Sequence, residues 1–186
     1  MKSFRDLHVA VVAGGPGSER KVSLASGEGV LEALKSRCDN VQLVDLTEAK
    51  AEVPDGTDLA FNVIHGTFGE DGELQAQFDE QGVAYTGAGA ASSRLAFDKI
   101  KSKDRFVAEG VKTPTHQLVT IEEAKSGPPF LPCVVKPPCE GSSVGVHIVE
   151  SEDQWSTAIE DAGKYAETLM VEQYVKGKEL TVGVLK

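Results

Sequence analysis

The run Val9-Ala10-Val11-Val12-Ala13, closed by Gly14-Gly15, constrains this chain most. Five consecutive apolar residues suit a strand covered on both faces, the arrangement of a parallel sheet flanked by helices. Lys2 and Arg5 precede it, as in a signal peptide, but the run is short, follows His8 and enters a glycine turn, so it reads as a first strand. Residues 23–38 then read as a helix with Val30, Leu31 and Leu34 on its buried face. Strands are expected at 41–46, 59–64 and 83–85, with a helix over 71–81. Strand alternating with helix predicts an α/β sheet of parallel strands.

The small-residue stretch 87–93 is the expected boundary, dividing the chain into 1–95 and 96–186. Beyond it a charged helix is expected at 98–109 and strands at 116–119, 133–136, 146–149, 169–172 and 180–185. Thr120 with Glu123, and Ser151 with Gln154, have capping-box spacing and predict helices at 121–126 and 152–164. This half reads as α+β with a hairpin around Gly141. The apolar strand expected at 180–185 would stand unpaired at the terminus, so more chain is expected to follow.

Composition excludes several functions. Of 186 residues, 19 are Lys or Arg and 29 Asp or Glu, a net charge of −10. That charge opposes binding to nucleic acid phosphates and to an anionic membrane surface. No run approaches the roughly 18 apolar residues of a membrane-spanning helix. Cys38, Cys133 and Cys139 have neither disulfide-framework nor zinc spacing, so reduced thiols and a cytoplasmic location are expected.

Four segments carry candidate chemistry. Gly14-Gly15-Pro16-Gly17-Ser18-Glu19-Arg20 follows the first strand, where doubly wound sheets bind ligands. Arg20 takes the third glycine position of a dinucleotide fingerprint, and Glu19 would repel a pyrophosphate, so a nicotinamide site is disfavoured. Glu19 suits a substrate ammonium; the alternative is a helix-capping role. His65-Gly66-Thr67-Phe68-Gly69-Glu70-Asp71-Gly72 follows the third strand. His65 could bind a carboxylate, oriented by Glu70, or serve only the turn. Lys136-Pro137-Pro138-Cys139-Glu140-Gly141-Ser142-Ser143-Val144-Gly145 offers hydroxyls, backbone N–H groups and a lysine to an oxyanion; an ordinary hairpin with a solvated lysine is the alternative. Lys99 is a candidate second phosphate contact. Glu172 and Glu179 flank a turn where a purine and its ribose could bind.

Together these segments resemble the D-alanine–D-alanine ligases of the ATP-grasp superfamily. The resemblance runs through residues 14–27, 65–75, Tyr85-Thr86-Gly87-Ala88-Gly89 with Asp98-Lys99, 136–145 and 172–182, in order. It implies a Rossmann-like, pre-ATP-grasp substrate-binding domain followed by an incomplete ATP-grasp lobe. It also implies formation of D-alanyl-D-alanine for peptidoglycan through an acyl phosphate. Carried over by position, Glu19 binds the first D-alanine's ammonium, His65 lies near its carboxylate, and Ser142 sits in a closing loop with Ser143 on the phosphates. Lys99 and Lys136 hold ATP phosphates, Glu172 and Val175 border adenine, and Glu179 meets the ribose.

Pro16, Lys21 and Pro138-Cys139 depart from the family pattern. No Glu-x-Asn segment of the type that supplies the family's metal ligands occurs. The Mg²⁺ ligands are therefore expected beyond residue 186, and the chain alone is expected not to turn over. A homodimer is the assembly the resemblance allows. A ligase using a hydroxy acid as second substrate and a non-catalytic nucleotide-binding module are the alternatives.

Overall fold

The computed structural model describes residues 2–183. They form two compact units: residues up to Ser102 with Cys139–Ser142, and Lys103–Pro138 with Ser143 onward.

The first unit is built on strands β1 (His8–Gly14), β2 (Asn40–Leu46), β3 (Leu59–Asn62) and β4 (Ala84–Tyr85). They form one sheet in the order β2-β1-β3-β4, all parallel. The apolar run fills β1, the inner strand, and Val9 through Ala13 are buried. Helix α1 (Arg20–Lys35) lies against it at Gly27, where a Cβ would come 2.7 Å from the Ala13 Cβ. α1 starts three residues before the expected position because Ser23 does not open it. The Ser23 hydroxyl faces inward, accepting from Gly14 N at 2.9 Å and donating to Val63 O at 2.7 Å. α1 also stops short of Cys38, since Leu34 O accepts from both Arg37 N and Cys38 N in a closing turn.

Helix α2 (Glu73–Gln81) is set by Asp71, whose carboxylate accepts from Phe68 N at 2.7 Å and Glu73 N at 3.0 Å. It ends at Gly82, which is left-handed at φ 69. Gly82 N donates to Asp79 O and Val83 N to Phe78 O, so a Schellman motif satisfies the last carbonyls. Leu74 and Phe78 of α2 fill the core with Ile64 and Phe68. The small-residue stretch runs into α3 (Ala90–Phe97), and Asp98 then caps α4 (Lys99–Ala108) by accepting from Ile100 N and Lys101 N.

The second unit carries β5 (His116–Thr120), β6 (Cys133–Lys136), β7 (His147–Val149) and β8 (Thr168–Gln173). Their order is β5-β8-β6-β7 and every pairing is antiparallel. Helix α5 (Trp155–Ala162) closes one face, packing Trp155, Ala158, Ile159 and Ala162 on Val135, Val149, Leu169 and Val171. Trp155 Nε1 donates to Ala124 O at 2.7 Å, so the buried indole is satisfied.

Both capping boxes form, yet the first opens only a 3₁₀ turn, Glu123–Ser126, because Gly127 at φ 97 ends it. The second opens a 3₁₀ turn, Glu152–Gln154, that leads into α5. The strand expected at 180–185 does not form over residues 180–183, and residues 184–185 lie outside the described residues. Leu180 and Val182 are 80% and 83% exposed. Among the described residues no strand lies beside them to pair their backbone.

Candidate functional site

In the first unit the chemistry gathers at the carboxyl ends of β1 and β3. The turn after β1 needs two left-handed glycines, Gly14 at φ 88 and Gly15 at φ 83. Arg20 braces it, donating to Leu46 O at 2.8 Å and Asp45 Oδ2 at 2.7 Å. Asp45, the position of a ribose-binding acid in a dinucleotide fold, is thus tied to the loop arginine. Glu19 stands at the N-cap of α1 without capping it through its side chain. Its carboxylate instead accepts a hydrogen bond from the Ser142 hydroxyl, 123 positions away in sequence. The Glu19 side chain passes so close to Gly66 that a Cβ there would lie 2.8 Å from Oε2.

His65 is held from both sides. Its Nε2 lies 3.3 Å from Ser26 Oγ and its Nδ1 3.8 Å from Glu70 Oε1. Beside it a cavity of about 350 Å³ opens, lined by Asn62, His65, Glu70, Gln75, Thr86 and Ser93 among others. Asn62 Nδ2 and Gln75 Nε2 both donate to Gly69 O, at 2.9 and 2.7 Å, so the turn carbonyl is pinned. Lys99 donates to the Glu140 carbonyl. Ser142 and Ser143 are consecutive non-glycine residues with positive φ, 47 and 63. Left-handed backbone costs such residues about 1–3 kcal/mol each and concentrates at functional sites.

In the second unit Lys136, at the end of β6, meets Glu172, one residue before the end of β8. Both lie on the sheet face opposite α5, Val134 being the cross-strand partner of Glu172 and Lys136 that of Met170. Glu172 is 8% exposed and its two oxygens accept from Lys103 and Lys136 respectively. Burial pushes the Glu172 carboxyl up, but hydrogen bonds from Lys103 and Lys136, with their charges, outweigh it and hold the group below its ordinary value of 4.5. A lowered folded value means Glu172 adds stability above the unfolded value and loses it as pH falls through the folded one. Thermal melts of the second unit should therefore drop in midpoint as pH falls below about 4.5. Glu172→Gln should flatten that drop, and equal pH profiles for both proteins would refute the assignment.

Sequence spacing thus locates Glu19, His65, Ser142, Lys136 and Glu172 at polar clusters, and the tertiary structure supplies their partners. Ser143 lies in the second unit, its carbonyl accepting from Val146 N at 3.2 Å. Val175 and Glu179 stand exposed on the segment after β8. No local signal marks Lys103 or Ser26 as a partner in these clusters. Lys103 follows Lys99 and Lys101 in a charged helix, and nothing local marks it as the buried one.

Residues 106–186 match the family model described as D-ala D-ala ligase C-terminus. Over 96% of its length the chain is 38% identical to a D-alanine–D-alanine ligase of Methylacidiphilum infernorum, covering 58% of it. This chain is similar in sequence to the D-alanine–D-alanine ligases over nearly all of its length. The D-alanine–D-alanine ligase of Thermotoga maritima is 42% identical over 97% of the chain, which covers 60% of that protein. Among solved structures, the D-alanine–D-alanine ligase of Bacillus anthracis superposes with a TM-score of 0.75 at 30% identity, over 92% of this chain and 58% of that one. The chain therefore spans about three fifths of the length of the ligases it matches.

Proposed function

We propose that this chain provides the first-substrate and phosphate-binding portions of an ATP-dependent D-alanine–D-alanine ligase. The observation that carries this reading is the Glu19 carboxylate, standing clear of its helix and bonded to the Ser142 hydroxyl of the glycine-serine loop. In the reaction ATP phosphorylates the carboxylate of one D-alanine. The amine of a second attacks the acyl phosphate, giving the dipeptide, ADP and phosphate. Such chemistry asks the protein chiefly for positioning and charge neutralisation. Residues 1–95 are assigned to the first D-alanine, with Glu19 on its ammonium and His65, backed by Glu70, near its carboxylate.

Residues 96–186 are assigned to the nucleotide. Lys99 and Lys136 hold phosphates, Ser142 and Ser143 act from the loop, Glu172 and Val175 border adenine, and Glu179 takes the ribose hydroxyls. Among the described residues no group of three or more His, Cys, Asp and Glu could hold a metal ion. The described residues thus do not form a Mg²⁺ site. We assign this enzyme, acting on small molecules, to the cytoplasm as a homodimer; the three free thiols fit a reducing compartment.

Two titrations test the reading, followed by amide NMR. ADP should move signals of residues 134–136 and 172–173, and D-alanine those of 17–20 and 65–70. Glu19→Gln should weaken D-alanine roughly tenfold or more, the worth of a charged hydrogen bond, and spare ADP. Equal D-alanine affinity in both proteins would refute the ammonium role. Phosphate release with Mg-ATP and D-alanine, measured on the gene product at the length the cell makes it, tests the ligation. ADP binding without D-alanine-dependent phosphate release would point instead to a non-catalytic nucleotide-binding module.

A further inference from the structure

Three charged side chains meet on the face of the antiparallel sheet opposite α5, and the two cations are not equivalent. Lys103, from α4, is 5% exposed. Its ammonium has three protons and three acceptors: Thr113 Oγ1 at 2.7 Å, Pro114 O at 2.7 Å and Glu172 Oε1. No donor remains for a ligand. Lys136 makes one side-chain hydrogen bond, to Glu172 Oε2, and its side chain is 20% exposed against 6% for Lys103. Among the described residues its other two protons meet no acceptor. The one other titratable group facing Glu172 from a neighbouring strand is His116 of β5, its cross-strand partner.

Resting on the reading of Lys136 as a phosphate ligand, we propose that Lys103 is a positioning residue, the fixed counter-ion that holds Glu172 in place so that Lys136 can leave it for an incoming phosphate. A buried carboxylate with a single cation cannot release that cation without standing bare, which is strongly unfavourable. With Lys103 anchored by Thr113 and Pro114, Glu172 keeps one cation throughout. The trio carries a net positive charge before the exchange, which favours the anion. The ammonium that moves is the one nearer solvent.

The carboxyl of Glu172, followed by ¹³C NMR against pH, tests the counter-ion without nucleotide. In Lys136→Met, Glu172 should stay ionised at neutral pH, because Lys103 remains. In Lys103→Met/Lys136→Met it should take up a proton above its ordinary range. Protonation of Glu172 at neutral pH in Lys136→Met alone would overturn the proposal, and this arm does not depend on the Lys103 variants folding. The exchange is tested by calorimetric titration with ADP in a double-mutant cycle. Lys103→Met should weaken ADP on the order of tenfold with Glu172 present and less than about twofold in a Glu172→Gln background. An equal loss in both backgrounds would mean that Lys103 acts only through the fold, and would also overturn it. Failure of the unmutated protein to bind ADP would remove the nucleotide reading and the exchange with it, whereas the carboxyl titration would still decide the counter-ion.

Discussion

Replacing Glu172 by alanine should destabilise the antiparallel unit by about 3–5 kcal/mol, the cost of leaving a buried charge without its partner. Lys103 would keep Thr113 and Pro114 but lose the carboxylate, and at 5% exposure it has little water to replace it. The conservative Glu172→Gln should cost less, since the amide oxygen still accepts one hydrogen bond. Trp155 makes the measurement clean. It is the one tryptophan of the chain, it is buried in this unit's core, and its fluorescence reports this unit's unfolding in urea. A loss under about 1 kcal/mol, the scale of an exposed ion pair, would show that the two lysines are solvated rather than held by Glu172.

Gly69→Ala should destabilise the parallel-sheet unit by about 3 kcal/mol, the upper end of what overpacking usually costs. A Cβ at Gly69 would fall 2.2 Å from Ile64 O and 2.6 Å from the Ile64 carbonyl carbon. Both are backbone atoms, so no side-chain rotation relieves the overlap. The carbonyl of Gly69 also accepts from Asn62 and Gln75, and moving it would strip one half-buried and one buried amide of their acceptor. The same shift should separate His65 from Glu70, weakening D-alanine binding under the proposed function. Loss of amide protection across β3 and α2 would show the effect by hydrogen exchange; unchanged protection would mean that the turn relaxes freely.

Legibility varied with the range of the interaction. The apolar run of β1 and the helices expected at 71–81 and 98–109 are decided within a few residues, so the sequence displays them. The Thr120–Glu123 box was legible as a cap, but not as a 3₁₀ turn, because Gly127 cuts the helix off after one turn. Ser23 read as the start of a helix and proved an inward bridge between Gly14 and Val63, since a hydroxyl near a helix start bonds wherever burial leaves a donor unpaired. The motif spacing marked Glu19, His65, Ser142, Lys136 and Glu172 but named no partners for them.

From its order of residues alone the chain determined a parallel first sheet, an α+β second half, all the strands but the one expected at 180–185, and the loops that present glycine, acid and lysine at strand ends. Local backbone preference and hydrophobic period are properties of a few neighbouring residues, and they survive without knowledge of the rest. Only the tertiary structure decided that Glu19 meets Ser142 across 123 positions, and that Lys103 lies buried on Glu172 across 69 while Lys101, two residues earlier, pairs with Asp98 on the surface. Those choices depend on which groups are desolvated together, and desolvation is set by packing among distant segments rather than by the identity of any one residue.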